Sequence, residues 1–158
     1  MRQNAKIRCP GLGSRMIQAL IPRHRRPGSS VLDMALVLPI LLALSFGTVE
    51  FGYYLFVKHN MQAAAREGAR AAIVPSAVTS DVTSAVANVM SAAGLTGSGY
   101  TTTITDTSGN AINVSTAAAG TAIKVTVQCT WGTVGVRPLG VISSTKVVVG
   151  TTVMRKEG

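Results

Sequence analysis

Hydrophobic residues are concentrated near one end of the chain. From Met34 to Val49 there is no charged residue, and the apolar character continues from Phe51 to Val57 with Glu50 as the single interruption. About 20 apolar residues span a hydrocarbon core of about 30 Å, so residues 34–57 supply a membrane span if Glu50 lies near one interface. Tyr53, Tyr54 and Phe56 then fall where interfacial aromatics are favoured, followed by Lys58 and His59. Helix-forming residues continue through Asn60–Ala72, and Pro75 is the first clear terminator. A helix from about Ser30 to Ala72 is roughly 60 Å long, so half of it projects beyond the bilayer. Pro39, inside the apolar run, removes one backbone hydrogen bond and is expected to kink this helix.

The pattern then changes period twice. Val82, Val86, Val89, Met90 and Ala93 recur on one face of a second, amphipathic helix at Asp81–Ala93, with Ser80 as N-cap, Asp81 in the first turn and Gly94 past the end. Gly94–Gly99 reads as a loop. Beyond it lie Thr- and Val-rich stretches with the character of strands: Tyr100–Thr105, Ala111–Ser115, Thr121–Gln128 and Thr145–Met154, with a turn at Ser108-Gly109-Asn110. Ala122–Val127 alternates as an antiparallel strand buried on one face does. The expected fold class is α+β: a long N-terminal membrane-spanning helix, a short helix, and a small antiparallel β-sheet head.

Charge refines this picture. The formal net charge of +9 first suggests a nucleic-acid binder, but seven basic residues and no acid lie within residues 1–28. The remainder holds eight basic against six acidic residues, a net +2. With charged residues at 13% of the chain, the composition is poorer in charge than a typical soluble domain, at about 25%. The positive-inside rule puts residues 1–28 in the cytoplasm and everything after about Lys58 outside. Cys9 is in the basic segment and Cys129 stands beside Trp131 in a strand-like stretch; if the leader is removed, no intramolecular disulfide can form. Cys129 is expected to be a buried small hydrophobe, with an intermolecular bridge or a reactive thiol as the alternative.

The junction of the two segments, Arg25-Arg26-Pro27-Gly28-Ser29-Ser30-Val31-Leu32-Asp33-Met34, holds the most information. A secretory signal places its small-residue cleavage site after the apolar stretch. Here a Gly stands before that stretch and an acid five residues beyond the Gly. Together with Ala35-Leu-Val-Leu-Pro39, Gly47-Thr-Val-Glu-Phe-Gly52 and Ala64-Ala-Arg-Glu-Gly-Ala-Arg-Ala-Ala72, this order of motifs resembles the TadE-like pseudopilins of tight-adherence (Tad, Flp-type) pilus systems. The likeness covers about residues 25–74. Asp33 stands where the family pattern has Glu, and Met34 where it has Phe or Tyr.

The resemblance implies a pilin-like chain with a basic leader at 1–28, a hydrophobic helix at 29–74 (span about 34–57, extension 58–74) and an exported α+β domain at 75–158. It also implies cleavage between Gly28 and Ser29 by a prepilin peptidase, residence in a bacterial inner membrane, and as partners the other pilins or pseudopilins of a Tad system and an inner-membrane assembly platform. On this reading the Asp33 carboxylate neutralises the new Ser29 amine of a neighbouring subunit. Either as a partner or as a solvated headgroup-level residue, it complements the helix dipole at the first turn. Glu50 is either a packing or platform contact or a marker of the outer interface. Ala64/Gly68 and Ala65/Ala69 permit close helix approach, in a bundle or on the chain's own sheet. Arg66, Glu67 and Arg70 can pair at helical spacing.

No catalytic constellation is legible. His24 is in the leader, His59 stands alone, and neither a zinc-type spacing nor a phosphate-binding Gly-rich loop is present, so no enzyme activity, metal or cofactor is expected. Four readings follow in order: a pseudopilin acting by assembly within membrane lipid; a single-pass anchor displaying a binding domain; a secreted protein with a cleavable signal; and, last, a nucleic-acid binder.

Overall fold

The computed structural model describes residues 27–134 and 136–158, with side chains from Ser30 onward. Most of the basic leader therefore lies outside the described residues, as do the side chains at the Gly28–Ser29 junction. Helix α1 is continuous over Pro27–Ile73, with Pro39 inside it. At 1.5 Å per residue it is about 70 Å long. Helix α2 covers Thr79–Ala92, and three strands follow: β1 (Thr101–Thr105), β2 (Ala122–Thr130) and β3 (Val147–Arg155). They form one sheet in the order β1-β2-β3, antiparallel throughout, with Val127 opposite Gly150 near the centre of the β2–β3 ladder. The α+β expectation holds.

One face of the sheet carries the core. Along β2 the buried side chains are Ile123, Val125, Val127 and Cys129, two apart, as the alternation requires. Against them lies the second half of α1, whose buried residues Val57, Met61, Ala64, Ala65, Gly68, Ala69 and Ala72 recur at helical spacing. Helix α2 adds Val82, Val86 and Met90. The preponderance of Ala on this face brings the α1 backbone close to the sheet. At Gly150 the approach is so close that a Cβ would collide with the Met61 carbonyl and the Gln62 amide. At Gly68 a Cβ would stand 2.8 Å from a methyl of Val86 and 3.2 Å from one of Val125.

The ends of the elements differ from the sequence expectations for local reasons. Helix α2 begins at Thr79 after Val78, not after Ser80, because the Asp81 carboxylate accepts the Val78 N–H at 3.0 Å and caps the turn from within. No strand forms at Ala111–Ser115. A turn does close there, with Asp106 N–H donating to Asn110 O at 2.9 Å, but pairing beyond it is limited to an isolated bridge between Thr105 and Ala111. The Asn113 side chain then accepts both the N–H and the hydroxyl of Ser115, at 3.1 and 2.8 Å, and this local bonding diverts the chain from a ladder. Strand β2 runs on to Thr130 and β3 to Arg155, past the expected Gln128 and Met154.

The expected span at 34–57 is not bare along its whole length. Its last two turns face the head: Glu50 and Val57 are buried, and Tyr53 and Tyr54 are half-buried against Trp131. On the opposite side of the same turns Phe51, Leu55 and Phe56 stay exposed. Below these turns, from Val49 down to Ser30, only Gly47 is partly covered.

Candidate functional site: a bare apolar stem and its acidic clasp

Every side chain from Ser30 to Val49 is exposed apart from half-buried Gly47, although most are large and apolar. Leu36 and Leu44, for example, retain 71% and 68% of their accessible surface, far above what a water-facing helix sustains in series. These 20 residues rise about 30 Å, the thickness of a bilayer's hydrocarbon core. Helix α1 is long and apolar enough to cross a membrane. Ser45 and Thr48 satisfy their hydroxyls on the carbonyls of Leu41 and Leu44, each at 2.8 Å, so these two polar groups in the upper stem are bonded within the helix.

The stem ends at a carboxylate. Glu50 is 1% exposed, and its two oxygens accept backbone N–H groups of one loop: Ile142 at 2.9 Å and Leu139 at 3.2 Å. A buried carboxylate needs a positive partner or several donors, and here peptide dipoles serve. The loop that supplies them folds back along the stem, so that Leu139 Cδ1 lies 3.9 Å from where a Cβ on Gly47 would sit. Glu50 is thus a clasp joining the helix to the chain some 90 residues later. Just above it, Trp131 is fully buried, with Tyr54 edge-on at 5.3 Å and Tyr53 tilted at 6.0 Å, an aromatic cluster of the favoured geometry.

The remaining sequence-selected residues fall into two groups. Asp33 is exposed on the stem's first turns, and no side-chain partner reaches it among the described residues. Arg66, Glu67 and Arg70 lie on the exposed face of α1, where Arg70 and Glu67 form an ion pair at 3.6 Å. On the other face of that same segment the small residues are used up inside the molecule: Ala64, Ala65, Gly68 and Ala69 pack on α2 and the sheet. Between the two alternatives open for these small residues, the structure selects packing on the chain's own sheet.

Three contributors were not singled out by the sequence patterns. Gln62 donates to the Thr151 carbonyl at 2.8 Å and accepts the Thr151 N–H at 3.2 Å, so its amide completes the outer edge of β3 as a paired strand would. Gly150 makes room for that contact. The loop that grips Glu50 has exposed apolar residues, Val136, Leu139 and Val141, beside Arg137 and Pro138, an unusual content for a turn; that content is the one hint the sequence offered. No group of three or more His, Cys, Asp or Glu suited to a metal occurs among the described residues.

Comparison with known proteins agrees with this placement. Residues 28–70 match the family model described as TadE-like protein, a stretch that begins at the junction Gly and takes in the stem, the Glu50 clasp and the exposed Arg66-Glu67-Arg70 face. No curated protein and no solved structure matches the chain.

Proposed function

We propose that this chain, TadE-like over residues 28–70, is a minor pilin or pseudopilin of a tight-adherence (Flp-type) pilus apparatus. In this reading a prepilin peptidase cuts after Gly28 on the cytoplasmic side of a bacterial inner membrane. The bare stem remains in the bilayer and the head stands outside it. Removal of the leader takes away seven positive charges and creates an amine on Ser29, which must find a partner when subunits pack. Asp33, one helical turn on and not engaged by the head, is that partner on a neighbouring subunit. An unpaired charge in hydrocarbon costs roughly 3 kcal/mol on insertion scales, enough to set the register between packed stems. The chain acts by assembly and is a substrate rather than a catalyst.

The observation that carries this reading is the coincidence of the matched segment with a stem whose large apolar side chains are all left uncovered by the head. It is tested by the N-terminal sequence and intact mass of the membrane-extracted protein, made with and without its prepilin peptidase. A peptidase-dependent start at Ser29 supports the proposal; an intact leader in both samples removes it. A second reading, a single-pass anchor that displays the head and never assembles, is favoured by one feature. The small residues that could have packed one subunit's upper helix on another are already buried within the chain. The two readings separate on in-cell cross-linking between copies or with other pilins through Cys placed on the stem.

A further inference from the structure

Loop 136–142 has three exposed apolar side chains: Val136, Leu139 and Val141 are 42%, 44% and 73% exposed. A short loop gains nothing by presenting such groups to water. Its position is fixed, because both Leu139 and Ile142 are bonded to Glu50, the residue at which the bare stem ends. Leu139 reaches down to the level of Gly47, inside the stem's last turn. On the far side of the helix, Phe51, Leu55 and Phe56 are exposed at the following turns, and charge begins at Lys58. An exposed apolar belt therefore surrounds the helix just above the stem, formed on one side by α1 itself and on the other by the loop.

We propose that this loop is a membrane-resting element: Val136, Leu139 and Val141 lie at the boundary between acyl chains and headgroups, with Arg137 at the level of the lipid phosphates, and they seat the head on the bilayer. The proposal rests on the stem's being membrane-inserted. If the 20 bare residues fill the hydrocarbon core of about 30 Å, Glu50 and the loop fall at its outer limit by length alone. Apolar side chains with an adjacent Arg are suited to that layer, where such elements enter about 5–10 Å. The occupant is lipid because the belt continues the stem's own surface, encircles the helix, and is fixed in depth by the Glu50 clasp. Glu50 acts through the loop, as a positioning residue that sets how deep the loop sits.

The test uses the full chain in liposomes of phosphatidylethanolamine and phosphatidylglycerol. A Cys9→Ser, Cys129→Ala background carries one environment-sensitive fluorophore at a time, on Val141→Cys, on Ala43→Cys in the stem, or on Ser108→Cys at the turn after β1. Spin-labelled lipids with the quencher near the headgroup or deep in the acyl chain read the depth of each. The expected result is strong loss of emission at position 141 with the shallow quencher, at position 43 with the deep one, and at position 108 with neither. Quenching at 43 with none at 141 overturns the loop proposal and leaves the membrane reading of the stem intact. Absence of quenching at 43 overturns both. Emission at 141 that is shifted to the blue in liposomes yet unquenched by either lipid means a protein covers the loop, and also overturns the proposal. Adding Glu50→Ala to the 141 variant is expected to lower shallow quenching there without changing it at 43; unchanged quenching at 141 removes the positioning role of Glu50.

Discussion

The carboxylate of Glu50 receives the backbone N–H of Ile142 at 2.9 Å, and this bond, with that of Leu139 at 3.2 Å, ties a residue of the N-terminal helix to a loop near the other end of the chain. The same acid closes the bare stem and begins the packed head. Its replacement by Ala leaves two N–H groups without an acceptor and should cost about 1–3 kcal/mol. Glu50→Gln keeps one carbonyl oxygen and should cost less. Amide hydrogen exchange in detergent is expected to rise selectively at 139–142 in the Ala variant. Unchanged protection there would show that the loop is held by other contacts.

At Gly68, side chains of α2 and β2 close on α1, leaving no room for a Cβ without movement of Val86. Gly68→Ala should destabilise the head by about 1–3 kcal/mol, the usual range for overpacking a core, although Ala is the better helix former. Urea unfolding monitored by Trp131 fluorescence measures it. A stabilised variant would mean that Val86 and Val125 yield freely.

Arg66, Glu67 and Arg70 are exposed on the other side of that helix, so replacing all three by Ala should change stability by no more than about 0.5 kcal/mol. If this face meets partner subunits, pilus output should fall while Tm and membrane content stay level. Equal loss of folding and output would place these residues in the fold instead.

At the start of the helix, Gly28→Arg is expected to block processing while leaving membrane insertion intact. Asp33→Ala should be processed normally and fail in assembly. Mass spectrometry of the extracted chain reads the first, and pilus yield the second; wild-type pili from both variants would remove the proposed mechanism.

Burial pushes the Cys129 thiol above its ordinary pKa, and among the described residues no cation opposes this. In a Cys9→Ser variant, native protein should react slowly with a disulfide reagent and quickly once unfolded. The sign of the pH effect follows from linkage: above the ordinary thiol pKa the unfolded chain ionises first, so Cys129 lowers stability as pH rises through that range. A Cys129→Ala variant should lack this component of the alkaline decline, read from Tm between neutral and mildly alkaline pH.

How much was legible in the sequence depended on the range of the interactions involved. The apolar run, its continuation into a helix ended at Pro75, and the alternation along Ala122–Val127 are determined by neighbours a few residues apart, and each appears in the structure. The motifs of residues 28–70 are likewise local in the chain, which is why the TadE-like resemblance was readable without a fold. The missing strand at 111–115 shows the limit: Ile112 and Val114 favour extension, but the Asn113 side chain offers the backbone a nearer partner.

What tertiary structure alone decided is the use of those pieces. An acid at the end of an apolar run is open to an outside partner until a loop some 90 residues away places two N–H groups on it. The small residues of Ala64-Ala-Arg-Glu-Gly-Ala-Arg suit a helix bundle as well as they suit a sheet; Gly150, Val86 and Val125 make the choice by the space they leave or fill. The sequence by itself determined that a long apolar helix precedes a small α+β head, because periodicity and propensity are properties of short windows. Where the helix leaves the head and becomes a bare stem was decided only when distant segments packed, since burial depends on contacts that no short window contains.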